Sequence, residues 1–456
     1  MKLYNTKSRS IEAFAPLQEG VVTMYACGPT VYDYTHIGHM RKYIGDDIVR
    51  RTLALIGYDV QHVMNITDVG HLTNDSDTGD DKFEKKAQSE GKTVWGVAQF
   101  YTDYFHNTMA AVNVLPPVIE AKATDHIPQM IALVEKLLAE GIAYETSHAI
   151  YFDVTKDEHY GELSGQKLSD KETAVRDEVV IDPDKKNPAD FSLWFKRVGK
   201  FVDHAMYWPS PWGEGFPGWH IECSAMAMHY LGETIDIHTG GIDHIPVHHE
   251  NEIAQSECAT HKQFVRYWIH HDFLNVEGEK MSKSKQNFYT LDDITARKFN
   301  PLATRLMFMQ TSYRKPLNFT WDSLEVAAQQ LKKLEKFAAH HAEIGTINEA
   351  YKKTFIEGLS EDINTAKALA TVWELLADNA VSEEDTWATL LCFDTVLGLN
   401  LDTVQKFSIS PEAQLLVEAR DNARSVKDFA KSDELRKQLE GLGYEVLDTA
   451  AGTTLQ

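Results

Sequence analysis

The sequence predicts an α/β protein in which a parallel sheet carries an inserted subdomain and is followed by a region of helices alone. Residues 21–26 and 59–66 are rich in β-branched and apolar side chains, and a helical pattern lies between them. A strand, a helix and a second strand of these lengths form a βαβ unit, which requires parallel strands. Residues 151–200 are strand-like and charged, as is typical of an insertion. From Trp321 onward, apolar residues recur at helical spacing.

Local signals define the elements of the first half of the chain. The first strand runs into a turn at 28–30, where glycine and proline interrupt the β-rich pattern. The helix is expected from about 39 to 55, with Ile44 and Ile48 on one face, and Gly57 ends it. Further helical patterns cover 94–111 and 126–140.

The end of the chain is predicted to form a small module behind a linker at 408–411. The segment 443–455 is expected to contain a hairpin. Between them, four basic residues at i, i+4, i+7 and i+11 predict one continuous stripe on a helix: Arg420, Arg424, Lys427 and Lys431. For a helix in general, a solvated face is the simpler interpretation of such a stripe.

Composition limits the classes of protein to which the chain can belong. Its 456 residues are 43% hydrophobic, and no run approaches the ~20 apolar residues that a membrane helix needs. The N-terminus has no apolar signal region and the four cysteines are far apart in sequence, so we expect a cytoplasmic protein without disulfides. The formal net charge of −23 argues against a nucleic-acid partner, because the overall field would repel it.

The first chemical motif is His36-Ile37-Gly38-His39, at the predicted junction of strand and helix. A helix N-terminus offers unpaired N–H groups to an anion, and Gly38 allows a flat base to approach the backbone closely. The two histidines can donate hydrogen bonds to a phosphate as charge develops on it. Taken alone, the motif is weak, and an ordinary helix-start loop is the simpler interpretation.

The second motif is Lys280-Met281-Ser282-Lys283-Ser284, which follows a short apolar segment. Its two lysines can neutralise a polyphosphate as point charges on flexible stems. A solvated basic loop would explain this motif if it stood alone. The two motifs together, in this order and within one interrupted α/β sheet, are highly specific.

The pair resembles the two signature motifs of class I aminoacyl-tRNA synthetases, and the surrounding sequence resembles the cysteinyl-tRNA synthetase family. The likeness runs from about Tyr25 to Thr454. Four further segments carry it: Cys27–Asp33, Gly218–Met226, His248–Ser256 and Ala430–Arg436. It implies a Rossmann-type catalytic domain with a connective insertion, an all-helical stem bundle and a small C-terminal anticodon-binding module.

The resemblance implies a domain division and a reaction. The catalytic domain would occupy 1–113 and 206–315, the insertion 114–205, the bundle 316–407 and the terminal module 408–456. A monomer would use ATP to convert L-cysteine to cysteinyl-adenylate and would then charge tRNA(Cys), with Mg²⁺ on the pyrophosphate. The catalytic residues would be His36, His39, Lys280 and Lys283. ATP would contact Thr30, Gly38, Asp243 and Lys283, and the substrate cysteine would contact Thr67, Trp219 and His238.

The resemblance also implies one zinc ion per chain, held by Cys27, Cys223, His248 and Glu252. Because His248 and Glu252 are four residues apart, a helix places them on one face. Spacing alone is weak evidence, since no Cys-x-x-Cys pair is present and remote cysteines are usually core residues. His249 is the second choice of ligand and His244 an alternative contact. Cys258 and Cys392 match no ligand position and are expected to be packing residues.

Zinc suits an enzyme that must separate cysteine from serine. A hydrophobic pocket discriminates between such substrates by only ~1–3 kcal/mol. A thiolate is a soft ligand for Zn²⁺, whereas a serine hydroxyl is hard and poorly acidic. Coordination of the substrate sulfur would supply the selectivity, so no editing domain is expected.

The resemblance changes how the terminal basic stripe is interpreted. Since the module resembles an anticodon-binding domain, its basic residues are expected to contact tRNA phosphates. Two alternatives remain open. A ligase that joins cysteine to an amino sugar would share the catalytic core but lack the terminal module. A catalytically idle zinc-dependent binding protein would not need both phosphate motifs.

Overall fold

The computed structural model describes residues 1–74, 78–166, 182, 184–281, 287–341, 343–449 and 452–455. Its helices are α1 (Ile37–Leu55), α2 (Lys82–Glu90), α3 (Val94–Ala111), α4 (Ile127–Ala139), α5 (Trp219–Leu231), α6 (His248–Thr260), α7 (Leu291–Ala296), α8 (Pro301–Met309), α9 (Trp321–His340), α10 (Glu349–Ser360), α11 (Thr365–Ala377), α12 (Glu383–Leu397), α13 (Pro411–Ser425) and α14 (Phe429–Gly441). None of the helices in these ranges combines the length and apolar character that crossing a bilayer requires.

The strands are β1 (Lys2–Asn5), β2 (Ser10–Ala13), β3 (Val21–Ala26), β4 (Asp59–Ile66), β5 (Leu72–Asn74), β6 (Thr78–Asp81), β7 (Ile119–Lys122), β8 (Ala143–Glu145), β9 (Ala149–Phe152), β10 (Phe191–Lys196), β11 (Gly215–Pro217), β12 (Ile235–Gly241), β13 (Val265–His271), β14 (Leu274–Val276), β15 (Glu279–Lys280), β16 (Leu317–Phe319), β17 (Val446–Thr449) and β18 (Gly452–Leu455).

A five-stranded parallel sheet in the order β13-β12-β3-β4-β7 forms the centre of the molecule. Strands β3 and β4 coincide with the two predicted β-rich segments, and α1 connects them, so the predicted βαβ unit is confirmed. Alternate residues of β3 point to opposite faces. Met24 packs in the core that contains the apolar face of α1, whereas Tyr25 packs in the core that contains α5.

The insertion forms a four-stranded antiparallel sheet in the order β11-β10-β9-β8. Its predicted boundaries, 114 and 205, differ from the observed ones. Strand β7, at 119–122, pairs in parallel with β4 and therefore belongs to the central sheet, and β11 continues the inserted sheet to Pro217. The sequence Ile-Glu-Ala-Lys at 119–122 lacks an apolar run because an edge strand of the sheet tolerates polar residues, so its pattern gave no strand signal.

Helices α9 to α12 form the predicted bundle behind the central sheet. The apolar stripe of α9 is buried, as its spacing predicts, at Leu324, Ala327, Leu331 and Leu334. The terminal module then comprises α13, α14 and the antiparallel pair β17–β18, which confirms the predicted hairpin. A small core of its own, including Ala413 and Leu439, holds the module together.

Candidate active site and metal centre

A cavity of about 460 Å³ opens at the carboxyl ends of the parallel strands, where ligand sites of open α/β sheets lie. Both halves of the catalytic domain line it. The predicted site residues along its wall are Cys27, Thr30, His36, Gly38, His39, Trp219, Cys223, Asp243, His248 and Lys280. The volume is within the usual range for a site that binds a small molecule.

The first motif forms the N-terminus of α1. The His36 Nδ1 atom accepts hydrogen bonds from the backbone N–H groups of Gly38 (3.1 Å) and His39 (3.3 Å). A neutral His36 therefore carries its proton on Nε2. The His36 and His39 rings stack with their centroids 3.5 Å apart. A Cβ atom on residue 38 would lie 2.8 Å from Met281 Cε and 2.9 Å from His36 Cε1, so a side chain there would displace one of these two side chains.

The second motif is described only in part. Lys280 ends β15 at the edge of the cavity, with its ammonium nitrogen 5.2 Å from the centre of the Phe273 ring. Lys283, the other predicted catalytic lysine, lies outside the described residues.

The four predicted metal ligands meet at one end of the cavity. One donor atom from each of Cys27, Cys223, His248 and Glu252 lies within 4.8 Å of every other, and all four residues are buried. Cys27 follows β3, Cys223 is on α5, and the other two are on α6. The i, i+4 spacing on α6 brings His248 Nε2 to 3.0 Å from Glu252 Oε1. Three separate elements therefore supply a convergent set of soft and hard donors.

Within this group, buried neighbours shift the pKa values of the two thiols in opposite directions. Burial opposes ionisation of the Cys27 thiol, but the hydrogen bond with Cys223 and the charges of His249 and His238 outweigh it, so the Cys27 pKa lies well below its usual value. Burial and the Cys27 charge raise the pKa of Cys223 well above its usual value. The two thiols therefore differ in acidity, and coordination of an ion by both sulfurs requires both as thiolates.

A second arrangement shares two members of this group. Cys27, Glu252, His238 and His249 also lie within 4.8 Å of one another. His249 Nε2 is 3.2 Å from Cys27 Sγ, so His249 stays an alternative ligand. The set with Cys223 and His248 opens to the cavity, whereas His238 and His249 do not line it. An ion in the first set is therefore the one that a substrate in the cavity can reach. The ring of His244 lies 5.2 Å from that of His248 and 5.1 Å from that of His249.

The predicted contacts with the amino acid fall into two layers. Trp219 lines the cavity and stacks on His248, a predicted metal ligand, with 4.0 Å between ring centroids. Thr67 and His238 lie behind the wall. Thr67 donates to Glu222 Oε2 over 2.8 Å, and His238 Nε2 lies 2.9 Å from Glu252 Oε2. Thr67 and His238 thus each contact a buried carboxylate, that of Glu222 and that of Glu252, rather than the cavity itself.

Sequence reasoning missed two residues of this region. Glu222 is fully buried beside Cys223, and burial raises its pKa well above the usual value. Lys42 lines the cavity one turn beyond His39. Its i+3 spacing from His39 was a signal that could have identified it.

The predicted basic stripe of the terminal module is wrong as a continuous surface. Helix α13 ends at Ser425, Lys427 has a left-handed backbone with φ of 62°, and Lys431 belongs to α14. Arg420 is only 2% exposed and bonds Asp448 Oδ1 at 2.7 Å and Thr453 Oγ1 at 2.6 Å. Its guanidinium is bound to the hairpin through Nη1 and Nη2, so Arg420 anchors the hairpin.

Comparisons with known proteins agree with this geometry. A family model described as "tRNA synthetases class I (C) catalytic domain" matches residues 13–329. A cysteine–tRNA ligase of Treponema denticola is 42% identical and covers 100% of this chain and 99% of its own length. Cysteine–tRNA ligase 1 of Burkholderia lata is also 42% identical, over 100% of this chain and 96% of its own.

Solved structures show the same fold at low identity. A methionyl-tRNA synthetase of Mycobacterium tuberculosis in complex with methionyl-adenylate has a TM-score of 0.57 and 15% identity, covering 90% of this chain and 96% of its own. The LeuRS of an Agrobacterium radiobacter LeuRS–tRNA–LeuAMS complex has a TM-score of 0.58 and 12% identity, covering 86% and 85%. With the full-length identity to the two ligases, the chain belongs to the cysteine–tRNA ligase family of class I aminoacyl-tRNA synthetases.

Proposed function

We propose that the chain activates L-cysteine with ATP to form cysteinyl-adenylate and transfers the cysteinyl group to tRNA(Cys). One observation carries the proposal: a buried group of two thiols, an imidazole and a carboxylate opens into the cavity that His36, His39 and Lys280 also line. A binding site for a thiol and one for a polyphosphate in one cavity suit a reaction between cysteine and ATP. The full-length relatives named cysteine–tRNA ligases support this assignment.

The donor set fits zinc. Two cysteine sulfurs, an imidazole nitrogen and a carboxylate oxygen are ligand types that Zn²⁺ takes in proteins. Cys27, Cys223, His248 and Glu252 would hold the ion, which when bound supplies a soft Lewis acid for the substrate thiolate. Trp219 fixes the plane of the His248 ring by stacking on it. His238 Nε2 lies within hydrogen-bond distance of Glu252 Oε2, and this contact orients the carboxylate whose other oxygen would bind the ion.

The phosphate end of the cavity suits in-line displacement at the α-phosphorus of ATP. The cysteine carboxylate forms a bond to this phosphorus as the bond to the pyrophosphate oxygen breaks. His36 and His39 donate hydrogen bonds to the phosphates, and Gly38 lets the nucleotide approach the helix. Lys280 and Lys283 offset the charge that collects on the pyrophosphate, and a Mg²⁺ ion bound with ATP would supply further positive charge there. Thr30 and Asp243 are proposed contacts of the ATP molecule on the same wall.

The chain contributes mainly position and charge to this step. His36 and His39, stacked at the N-terminus of α1, act as hydrogen-bond donors to the charge that develops on the phosphates. Thr67 is a positioning residue that acts through Glu222. Holding the two substrates in one geometry accounts for much of the rate enhancement in reactions of this kind.

The terminal module supports tRNA as the acceptor. In the sequence, Phe429 lies between Lys427 and Lys431 and Val426 precedes them; the Phe429 side chain is 65% exposed and that of Val426 is 75% exposed. An exposed aromatic ring between cations is the arrangement on which unpaired bases stack. Arg424 is half-buried and pairs with Asp448, which leaves the two lysines as the principal phosphate contacts of the proposed surface.

Two assays test the proposal. The purified chain is expected to catalyse cysteine-dependent exchange of pyrophosphate into ATP and then to charge tRNA(Cys), and to do so as a monomer in sedimentation. Exchange without charging would favour the amino-sugar ligase, which the match of the ligases across the terminal module disfavours. Absence of exchange with intact zinc binding would favour the idle binding protein and contradict the proposal.

A further inference from the structure

Lys42 is a cation on the cavity wall to which the proposed reaction assigns no role. It lies on α1 three residues after His39, so the ring and the ammonium share one face of the helix. The Lys42 side chain is only 12% exposed. Its ammonium donates to the backbone oxygen of Cys27 and pairs with Asp46 Oδ2 at 2.8 Å. A buried lysine held this firmly has a defined position.

Two buried residues hold Lys42 in place. Asp46 lies one turn further along α1, and His271 Nε2 lies 2.8 Å from its Oδ1 atom. Burial opposes ionisation of Asp46, but Lys42 and His271 outweigh it and lower the Asp46 pKa to about 2, so the carboxylate is charged. A Cβ atom on Gly45 would overlap the imidazole ring of His271. Because Gly45 has no side chain, His271 at the end of β13 can pack against α1.

This arrangement leaves Lys42 with donor capacity toward the cavity. A lysine ammonium has three N–H donors, of which two face the oxygens of Cys27 and Asp46. The ammonium also lies 4.6 Å from the centre of the Tyr43 ring, which itself lines the cavity, so a substrate carboxylate would compete only with this weaker contact for the third donor. The Cys27 contact also locates the ammonium. It lies beside a member of the metal group, whereas His36 and Lys280 belong to the two phosphate motifs.

In cysteine, the carboxyl carbon is three bonds from the sulfur. The carboxylate is the group that must reach the α-phosphate of ATP. A thiol held at the metal group therefore directs its carboxylate into the region between that group and His39. We propose that Lys42 binds the carboxylate of the substrate cysteine and that Asp46 and His271 position Lys42 for this contact. The inference rests on the proposed function, since it takes cysteine as the substrate.

The test compares two thiols that differ in the carboxylate. L-cysteine and cysteamine, which lacks it, are titrated calorimetrically into the zinc-loaded full-length chain and its Lys42→Met variant. Loss of one charge-assisted hydrogen bond is expected to weaken cysteine binding about 10- to 100-fold. Cysteamine affinity and zinc content are expected to stay unchanged, because neither depends on a carboxylate contact.

A matched control uses the same substitution elsewhere. Lys353 is 77% exposed in the side chain and also pairs with an acid four residues on, Glu357, but it lies on α10 in the bundle. Lys353→Met is expected to change neither affinity. Asp46→Asn keeps the ammonium but weakens its anchor, so it should weaken cysteine binding to a smaller extent and leave cysteamine unaffected. This variant also serves if Lys42→Met does not fold.

Three results would overturn the inference. Equal losses for cysteine and cysteamine would mean that Lys42 only supports the metal group. A loss of ATP affinity with cysteine affinity intact would assign Lys42 to a phosphate. Unchanged cysteine binding in both variants would remove any role in recognition. A wild-type chain that binds zinc but fails to exchange pyrophosphate with cysteine contradicts the proposed function itself, which the exchange assay reports separately.

Discussion

At the scale of single residues, Cys223 is a buried cysteine whose proposed role as a metal ligand can be tested directly. It comes from α5, and its sulfur belongs to the convergent set with Cys27, His248 and Glu252. We predict that Cys223→Ser loses zinc and selectivity for cysteine over serine, because a hydroxyl is a poor ligand for Zn²⁺. Metal analysis and exchange kinetics with the two amino acids measure both effects.

Cys258 provides the control for this prediction. It is a partly buried cysteine of α6 that belongs to none of the metal-binding groups found among the described residues. Cys258→Ser is expected to keep both zinc and selectivity. Full zinc content together with unchanged cysteine affinity in Cys223→Ser would contradict the ligand assignment.

His62 is a buried histidine of β4, and neither of its ring nitrogens has a hydrogen-bond partner among the described residues. Burial lowers its pKa to about 4 from the usual 6.5. Between these values the unfolded chain binds the proton and the folded chain does not, so stability is full above about pH 6.5 and falls as the pH approaches 4. The loss from this group is on the order of 3 kcal/mol.

We therefore predict that His62→Leu reduces the loss of stability between pH 6.5 and pH 4. Denaturant unfolding at several pH values measures it, with His159→Leu as a control, since His159 is exposed. Other buried histidines keep part of the pH dependence in both proteins. An identical pH dependence in His62→Leu and the wild type would show that His62 is not held neutral by burial.

At the scale of single elements, the first residue of α1 is set by a side chain that caps the helix. The apolar spacing predicts a helix from about 39 to 55, and the observed helix begins at Ile37. The earlier start follows from His36, which caps the free N–H groups of Gly38 and His39. Histidine is not a common capping residue, so the sequence pattern alone did not indicate this start.

Arg420 on α13 forms an ion pair with Asp448 on β17, and this contact links the helix to the hairpin. Removing one partner of a buried ion pair leaves the other charge uncompensated, which costs about 3–5 kcal/mol. The Asp448 side chain is 39% exposed and also pairs with Arg424 and Arg436, so solvent and these two cations offset part of this cost and Arg420→Ala is expected to destabilise the hairpin by less than that range. Hydrogen exchange in β17–β18 should rise, while pyrophosphate exchange at the distant cavity stays unchanged.

Lys431→Ala is the matched comparison in the same helix pair. Its ammonium is exposed and pairs only with exposed Glu434 among the ion pairs described for this module. This variant is expected to keep the stability of the hairpin and to weaken tRNA binding. Equal stability of the hairpin in Arg420→Ala and the wild type would return Arg420 to the list of possible tRNA contacts.

At the scale of the whole molecule, the net charge of −23 limits where RNA can bind. The overall field repels a polyanion, so the attraction must come from local cations such as Lys427 and Lys431. We predict that the affinity for tRNA(Cys) falls steeply with salt concentration, because each phosphate contact releases counterions. Filter binding at several salt concentrations measures the slope.

Lys431→Ala is expected to reduce the steepness of this salt dependence by about 1 in the log–log slope. Cysteine-dependent pyrophosphate exchange is the internal control, since its cavity lies in the catalytic domain and its salt response should be the same in both proteins. A tRNA affinity that does not depend on salt would contradict binding through exposed lysines.

Local patterns in the chain determined the α/β class, strands β3 and β4, α1, the buried stripe of α9 and the shared face of His248 and Glu252. These features depend on residues at most a few positions apart, where backbone periodicity sets the geometry. The wider assignment of the site came from resemblance, since spacing alone left the two remote cysteines as ordinary core residues.

Only the tertiary structure decided which remote residues meet. It brought Cys27, which follows β3, to Cys223 on α5, added β7 to the central sheet, buried Arg420 against the hairpin, and joined Asp46 of α1 to His271 of β13. The physical reason is that such contacts depend on how separate elements pack. A residue's own neighbours in sequence carry no information about the side chain that packing will place beside it.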